Sequence, residues 1–219
     1  MSSQIEVVFI EGLCPFQKAW TLQRERLEHV RRGTMPNALF LLEHAPVITL
    51  GRNSRDEHVL ASSNELSRKG IEVVSTDRGG DVTYHGPGQM VAYPILNLRQ
   101  WQKSIRWYLR SLEEVVITLL DTYGVSATRE PPFTGVWARG EKVAAIGVGL
   151  RDWVTFHGLS LNVNTDLKAF ELIVPCGLYG KSVTSLQKIL GKSLSMADVM
   201  ERFTEIFCRQ FSANQPKIF

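Results

Sequence analysis

Residues 133–163 read FTGVWARGEKVAAIGVGLRDWVTFHGLSLNV. The pattern is a strand meander with extended segments at Thr134–Arg139, Lys142–Leu150 and Val154–Val163, and Arg139-Gly140-Glu141 as a tight connection between the first two. Upstream, Phe16, Trp20, Leu27 and Val30 share a helical stripe, which predicts a helix of about 15 residues after Pro15. Strands are expected at Ala38–Leu42 and Val47–Leu50, around the breaker Pro46. Ser62 with Glu65 makes a capping-box start for a short helix that Gly70 stops. Strands follow at Ile71–Ser75 and Met90–Leu96, then a long helix from about Gln102 to Tyr123 on the spacing Ile105, Leu109, Leu112, Val116, Leu119. Pro131-Pro132 separates that helix from the meander, and two helices, Ser182–Leu190 and Ser195–Phe211, close the chain. Helices interspersed with strands around a hairpin-rich middle predict an α/β class, an α+β or mixed domain.

The 219 residues suggest one large domain over 1–219, with a small helical part from about residue 182. A chain this long buries enough surface to need neither disulfide nor metal. Its three cysteines, Cys14, Cys176 and Cys208, are too far apart for a disulfide framework, and no CxxC pair offers a zinc site, so no metal is expected. Free thiols point to a reducing compartment, here the cytoplasm. Charged residues at 21% and hydrophobic ones at 44% exclude disorder and collagen-like arrays, and a net charge of +3 is too small to argue for nucleic acid. The opening MSSQIEVVFIEG lacks the basic start of a signal or transit peptide. The longest apolar run, Val143–Leu150, is far too short to span a membrane.

Glycine is ordinary in amount but not in placement, since 12 of 17 lie between Gly79 and Gly180. Arg78-Gly79-Gly80-Asp81-Val82-Thr83-Tyr84-His85-Gly86-Pro87-Gly88-Gln89 reads either as a loop using glycine for turns or as backbone that a ligand approaches closely. Neither GxxxxGK[ST] nor GxGxxG occurs, so a common nucleotide-phosphate site is not supported. Ala145-Ile146-Gly147-Val148-Gly149 and His157-Gly158-Leu159-Ser160 place further glycines inside strands, where they often mark close approach. Together the segments suggest a narrow, partly apolar groove for a linear acyl chain.

Cys176 lies in Val174-Pro175-Cys176-Gly177-Leu178-Tyr179-Gly180, a turned loop, whereas Cys14 and Cys208 read as packing residues. A thiol becomes a useful nucleophile when a base or cation increases its thiolate fraction. His85, His157 and Lys142 are the candidate partners, and spacing does not choose among them.

Four blocks, RGGDVTYHGPGQ, GVWARGEKVAAIGV, FHGLSLNVN and IVPCGLYGKSVTSL, occur in order between Leu39 and Leu190. In these the chain resembles the octanoyltransferases of lipoate biosynthesis. The resemblance implies the catalytic-domain fold of biotin and lipoate protein ligases. It also implies transfer of octanoate from octanoyl-acyl carrier protein, through a cysteine thioester, to a lysine of lipoyl domains, without a cofactor. The lipoyl domains would be those of 2-oxoacid dehydrogenases and of the glycine cleavage H protein. Matched to the motif, the nucleophile is Cys176 and its partner Lys142. The substrate pocket is Arg78, Gly79, Gly80, Asp81, Val82, Thr83, Tyr84 and His85, with Ala145, Ile146, Gly147, Gly158, Leu159 and Ser160. Backbone N–H groups near Cys176 and Gly177 are the expected oxyanion donors.

Arg99, Lys103, Arg106 and Arg110, at offsets 0, 4, 7 and 11, would share one face of the long helix with no acid among them. That face is either ordinary solvated surface or a dock for acidic partners; Arg24, Arg31 and Arg32 are second-rank candidates. An ATP-dependent lipoate-protein ligase and a non-catalytic carrier-binding module are the competing functions, and Cys176 in its VPCG setting argues against both.

Overall fold

The computed structural model describes residues 5–177 and 182–213, with the backbone alone at Cys176 and Ala213. Strands β1 (Ile5–Cys14), β2 (Asn37–His44), β3 (Val47–Leu50), β4 (Glu72–Ser75), β5 (Val82–His85), β6 (Gln89–Ile95), β7 (Val136–Ala138), β8 (Glu141–Arg151) and β9 (Val154–Asn162) alternate with helices. The helices are α1 (Phe16–Arg32), α2 (Ser63–Arg68), α3 (Ile105–Asp121), α4 (Leu186–Leu190) and α5 (Met196–Ala213). Among the described residues the strands form a six-stranded sheet ordered β1-β2-β6-β9-β8-β7 and a three-stranded sheet ordered β4-β3-β5. Among the named strand pairs, β1–β2 and β3–β4 are parallel and the others antiparallel.

Both faces of the large sheet are covered, which is why β2 and β6 read as nearly continuous apolar runs. Ala38, Phe40 and Leu42, with Val91, Tyr93 and Ile95, face α1 and meet its Ala19, Leu27 and Val30. The alternate residues Leu39, Leu41, Met90 and Ala92 face the opposite way, towards α3 and α5. There Leu112, Val116 and Leu119 of α3 pack with Phe203, Phe207 and Phe211 of α5 in one core. A smaller cluster, Ile48, Leu66, Val82, Tyr84, Phe170 and Ile173, lies under the small sheet. No helix among the described residues is long and apolar enough to cross a membrane.

Several elements differ from the sequence reading. Ile5–Cys14, unassigned there, is an edge strand whose register breaks between Phe9 and Leu13, around Gly12 at φ +68°. The segment 78–89 is not loop throughout, because Val82–His85 forms β5 against β3. The stretch 182–185 is not helical: Val183 bridges β8 at Lys142, and α4 starts only where the Ser185 hydroxyl accepts the Lys188 N–H. Helix α3 begins at Ile105, capped by the Ser104 hydroxyl, and a separate 3-10 turn occupies Leu98–Gln100. Arg99 and Lys103 therefore lie outside α3, and the proposed four-residue stripe does not exist as one helix face. Arg110 also leaves it, donating to the carboxylate of Glu113 at 2.6 Å.

Candidate functional site

The two sheets meet at a pocket of about 370 Å³, a size suited to a small ligand. Its floor is a pair of glycines. Gly147 of β8 stands directly opposite Gly158 of β9, so two neighbouring strands have no side chain at one level. A Cβ at Gly147 would lie 2.8 Å from the carbonyl of Gly79, and one at Gly158 would strike the carbonyl of Ala92. The glycines thus let the loop and the neighbouring strand approach closely at the edge of the pocket. The loop is tied down by the Gly79 N–H, which donates to Val148 O at 2.8 Å.

Arg78 braces the wall. Its guanidinium, buried by the fold, donates to Thr49 O at 2.7 Å and to Asp81 O at 2.6 Å, and reaches Thr49 Oγ1 from Nε and Nη2. Of the residues matched to the motif, Arg78, Gly79, Gly80, Asp81, Thr83 and His85 line the pocket. So do Lys142, Ala145, Ile146, Gly147, Gly158, Leu159 and Ser160. Val82 and Tyr84 do not: as the alternate residues of β5 they turn into the cluster under the small sheet, where Tyr84 meets Phe170 edge-on.

Two buried histidines, His85 and His157, line the pocket, and a third, His44, packs against His85. His85 Nδ1 is 2.7 Å from Gln89 Oε1, while the Gln89 amide donates to Tyr84 O and Asn162 Oδ1. Burial holds His85 well below the ordinary imidazole range, with His44 adding to the effect. His44 Nδ1 donates to Cys14 O at 2.8 Å and Nε2 accepts from Tyr93 OH, which fixes the neutral tautomer. Burial lowers its pKa to about 4. His157 Nε2 lies 2.8 Å from Asp77 Oδ1. Burial outweighs that carboxylate, so His157 is also held below its ordinary value and donates as a neutral ring. None of the three offers a cation to a thiol.

Lys142 does. It is 6% exposed, and its Nζ lies 4.8 Å from the Trp137 ring centroid, a cation–π arrangement that suits a charged amine held away from bulk water. Gly135, at φ +136°, makes room for it, since a Cβ there would sit 3.2 Å from Lys142 Cε. Lys142 N–H donates to Ser182 O and Lys142 O accepts from Thr184 N–H, which fixes β8 to the chain that follows the cysteine turn. Lys142 and Pro175 line one small hollow of about 10 Å³ beside the main pocket.

Pro175–Gly177 forms a single 3-10 turn, so Cys176 is placed by its backbone, while its side chain and residues 178–181 lie outside the described residues. The Gly177 N–H donates to Val174 O at 3.1 Å within this turn. That corrects the expectation that it serves as an oxyanion donor, because the turn already engages it.

Phe16, Asn53, Tyr93, Ile105, Leu109, Phe133 and Thr134 also line the pocket and escaped the sequence reading. They come from five separate segments with no shared motif. The apolar stripe on α3 did name Ile105 and Leu109, but as core positions.

Residues 15–208 match the lipoyl protein ligase A/B catalytic domain family. The chain is 50% identical over 200 residues to an octanoyltransferase of Solibacter usitatus (strain Ellin6076), covering 91% of this chain and 90% of that one. Its fold is similar to that of a lipoate-protein ligase A bound with ATP, at TM-score 0.75 and 15% identity, covering 96% of this chain and 85% of that one. A biotin protein ligase from Aquifex aeolicus gives TM-score 0.60 at 13% identity, covering 97% and 72%. The expected ligase-type mixed α/β fold is the one observed. Conserved along nearly its whole length with enzymes of one name, the chain belongs to the lipoyl protein ligase A/B catalytic domain family and, within it, to the octanoyltransferases, a group of acyltransferases.

Proposed function

We propose that the octanoyl group passes from octanoyl-acyl carrier protein to Cys176 as a thioester, and then to a lysine of a lipoyl domain. The observation that carries this reading is the hollow shared by Lys142 and Pro175, which puts an ammonium next to the turn holding the cysteine, at the side of an acyl-sized pocket.

In the first step the Cys176 thiolate, stabilised by the Lys142 ammonium, bonds to the thioester carbonyl carbon. The bond from that carbon to the carrier's sulfur breaks, and the leaving sulfur takes a proton from Lys142. Lys142 is then neutral and ready to act as a base. In the second step the neutral amine of the target lysine attacks the acyl-cysteine, Lys142 accepts its proton, and the Cys176 thiolate departs. The resting charge pair is restored. Thioester exchange is nearly balanced and amide formation runs downhill, so neither ATP nor a cofactor is needed. Each methylene buried in the pocket contributes about 0.8 kcal/mol to holding the chain.

Both partners must bring a reactive group to the same mouth. Ile105, 47% exposed, stands on that rim. Arg99, Lys103 and Arg106, near it in sequence, are exposed and pair with no carboxylate among the described residues, in contrast to Arg31, Arg110 and Arg129. The first turn of α3 carries no acid. Such a surface suits an acidic carrier. A reactive thiol of this kind belongs in a reducing cytoplasm.

Incubation with octanoyl-acyl carrier protein alone should raise the intact mass by one octanoyl group, removed by Cys176→Ser. A protein that stays unmodified with the carrier thioester but acylates a lipoyl domain from free octanoate and ATP would be a ligase instead.

A further inference from the structure

Below the cysteine turn lies a buried pair that the transfer steps above do not use. His58 ends a 3-10 turn at Asp56–His58 and is 5% exposed. Its Nδ1 lies 2.7 Å from Asp81 Oδ2. The other Asp81 oxygen accepts the Val82 N–H at 2.7 Å, and Arg78 holds the Asp81 carbonyl. Asp81 is therefore fixed from both ends while it also lines the acyl pocket.

The same pair grips the cysteine turn on both sides of Cys176. On the upstream side, the Val174 N–H donates to His58 O at 2.8 Å, and Val59 bridges Ile173. On the downstream side, Gly177 rests on the two side chains. A Cβ there would lie 2.5 Å from Asp81 Oδ2 and 3.2 Å from His58 Cε1. At φ +65° this position is also one that L side chains rarely adopt. Backbone on one side and a side-chain platform on the other leave the residue between them little freedom.

We propose that His58 and Asp81 are positioning residues for the nucleophile, a coupled pair that sets where the Cys176 turn stands relative to Lys142 and the pocket. This rests on the reading of Cys176 as the acyl carrier residue. The pair touches the turn and takes no proton in the transfer. Misplacing a nucleophile by about 1 Å costs on the order of 100-fold in rate, so the effect should appear in turnover rather than in carrier binding.

The test compares His58→Ala, Asp81→Asn, the double variant and His58→Asn, which keeps a polar side chain of similar reach beside Asp81. Stopped-time intact-mass measurement gives the rate of octanoyl loading. Iodoacetamide alkylation followed by peptide mapping gives the reactivity of the Cys176 thiol without any acyl substrate. His58→Ala and Asp81→Asn should each lower kcat about 10- to 100-fold at unchanged KM for the carrier. The double variant should fall no further than the worse single one, and His58→Asn should recover most of the loss. Alkylation of Cys176 should shift in the same variants, with Cys14 and Cys208 unaffected. Wild-type loading and alkylation rates in the single variants, or single effects that multiply in the double, would overturn the proposal. Should a variant fail to fold, Asp81→Asn, nearly isosteric, decides alone. A wild-type protein that is never acylated would remove the proposed reaction, while alkylation would still report on the pair.

Discussion

The Lys142 side chain lies against the face of Trp137, in the space that Gly135 leaves. Lys142→Met keeps the length of the stem and removes the charge. Octanoyl transfer should fall by about 100-fold or more in this variant, while the thermal midpoint moves little. A rate within a factor of a few of the wild type would return Lys142 to a packing role. On residue spacing alone Lys142 is one of three candidates, and only the resemblance to the octanoyltransferases singles it out, for two reasons. Its neighbour Trp137 is paired with it only through the register of an irregular hairpin. Burial lowers the proton affinity of the rivals His85 and His157, which spacing does not reveal. His58 was invisible for a similar reason, since its partners Asp81 and Gly177 lie far along the chain and no local motif surrounds it.

The meander of β7, β8 and β9 was legible because turn chemistry and strand content agree along it. The connection Arg139-Gly140 takes φ +53° and +80°, the signature of a type I′ turn, in which asparagine is favoured at the first position and arginine is not. Arg139→Asn should therefore stabilise the protein by about 0.5–1 kcal/mol, read as a higher urea midpoint at unchanged slope. Helix α3 was legible in its stripe but not in its start, which the Ser104 cap decides, and the intended cationic face dissolved with that shift. It also hides a buried acid. Glu113, 1% exposed, accepts from Arg110, Arg129 and the N–H of Gly135. It thereby secures the segment 129–135 whose Phe133 and Thr134 wall the pocket. Glu113→Ala should cost about 2–3 kcal/mol, the low end for a broken buried pair because both arginines can rehydrate. It should also raise KM for the acyl donor, measured alongside the urea midpoint. An unaltered KM would separate the wall from substrate binding.

Across the whole molecule, three neutral imidazoles are enclosed where the sheets meet, and this links stability to pH. His44 has an ordinary value of 6.5 and a folded value of about 4. In that window the unfolded chain takes up a proton that the folded one refuses. The stability is complete above pH 6.5 and is lost progressively as the pH falls towards 4, by up to about 3 kcal/mol from this group. His85 and His157 act in the same direction. Urea midpoints should decline steadily between pH 7.5 and 4.5, and His44→Gln should flatten part of the slope; a constant midpoint would mean that these rings ionise in place. The overall class was readable from the order of elements, but the covering of both sheet faces, and with it the depth of these rings, follows from topology. The interrupted edge strand has its own consequence at this scale. Phe9 and Leu13, 52% and 51% exposed, lie on a strand with one side unpaired, a composition that invites another chain to add itself in register. The excursion at Gly12 divides that side into two short pieces, so the rim offers no continuous template. Deleting Gly12 should join the pieces, and the variant should form ordered, thioflavin-binding aggregates faster than the wild type under the same conditions.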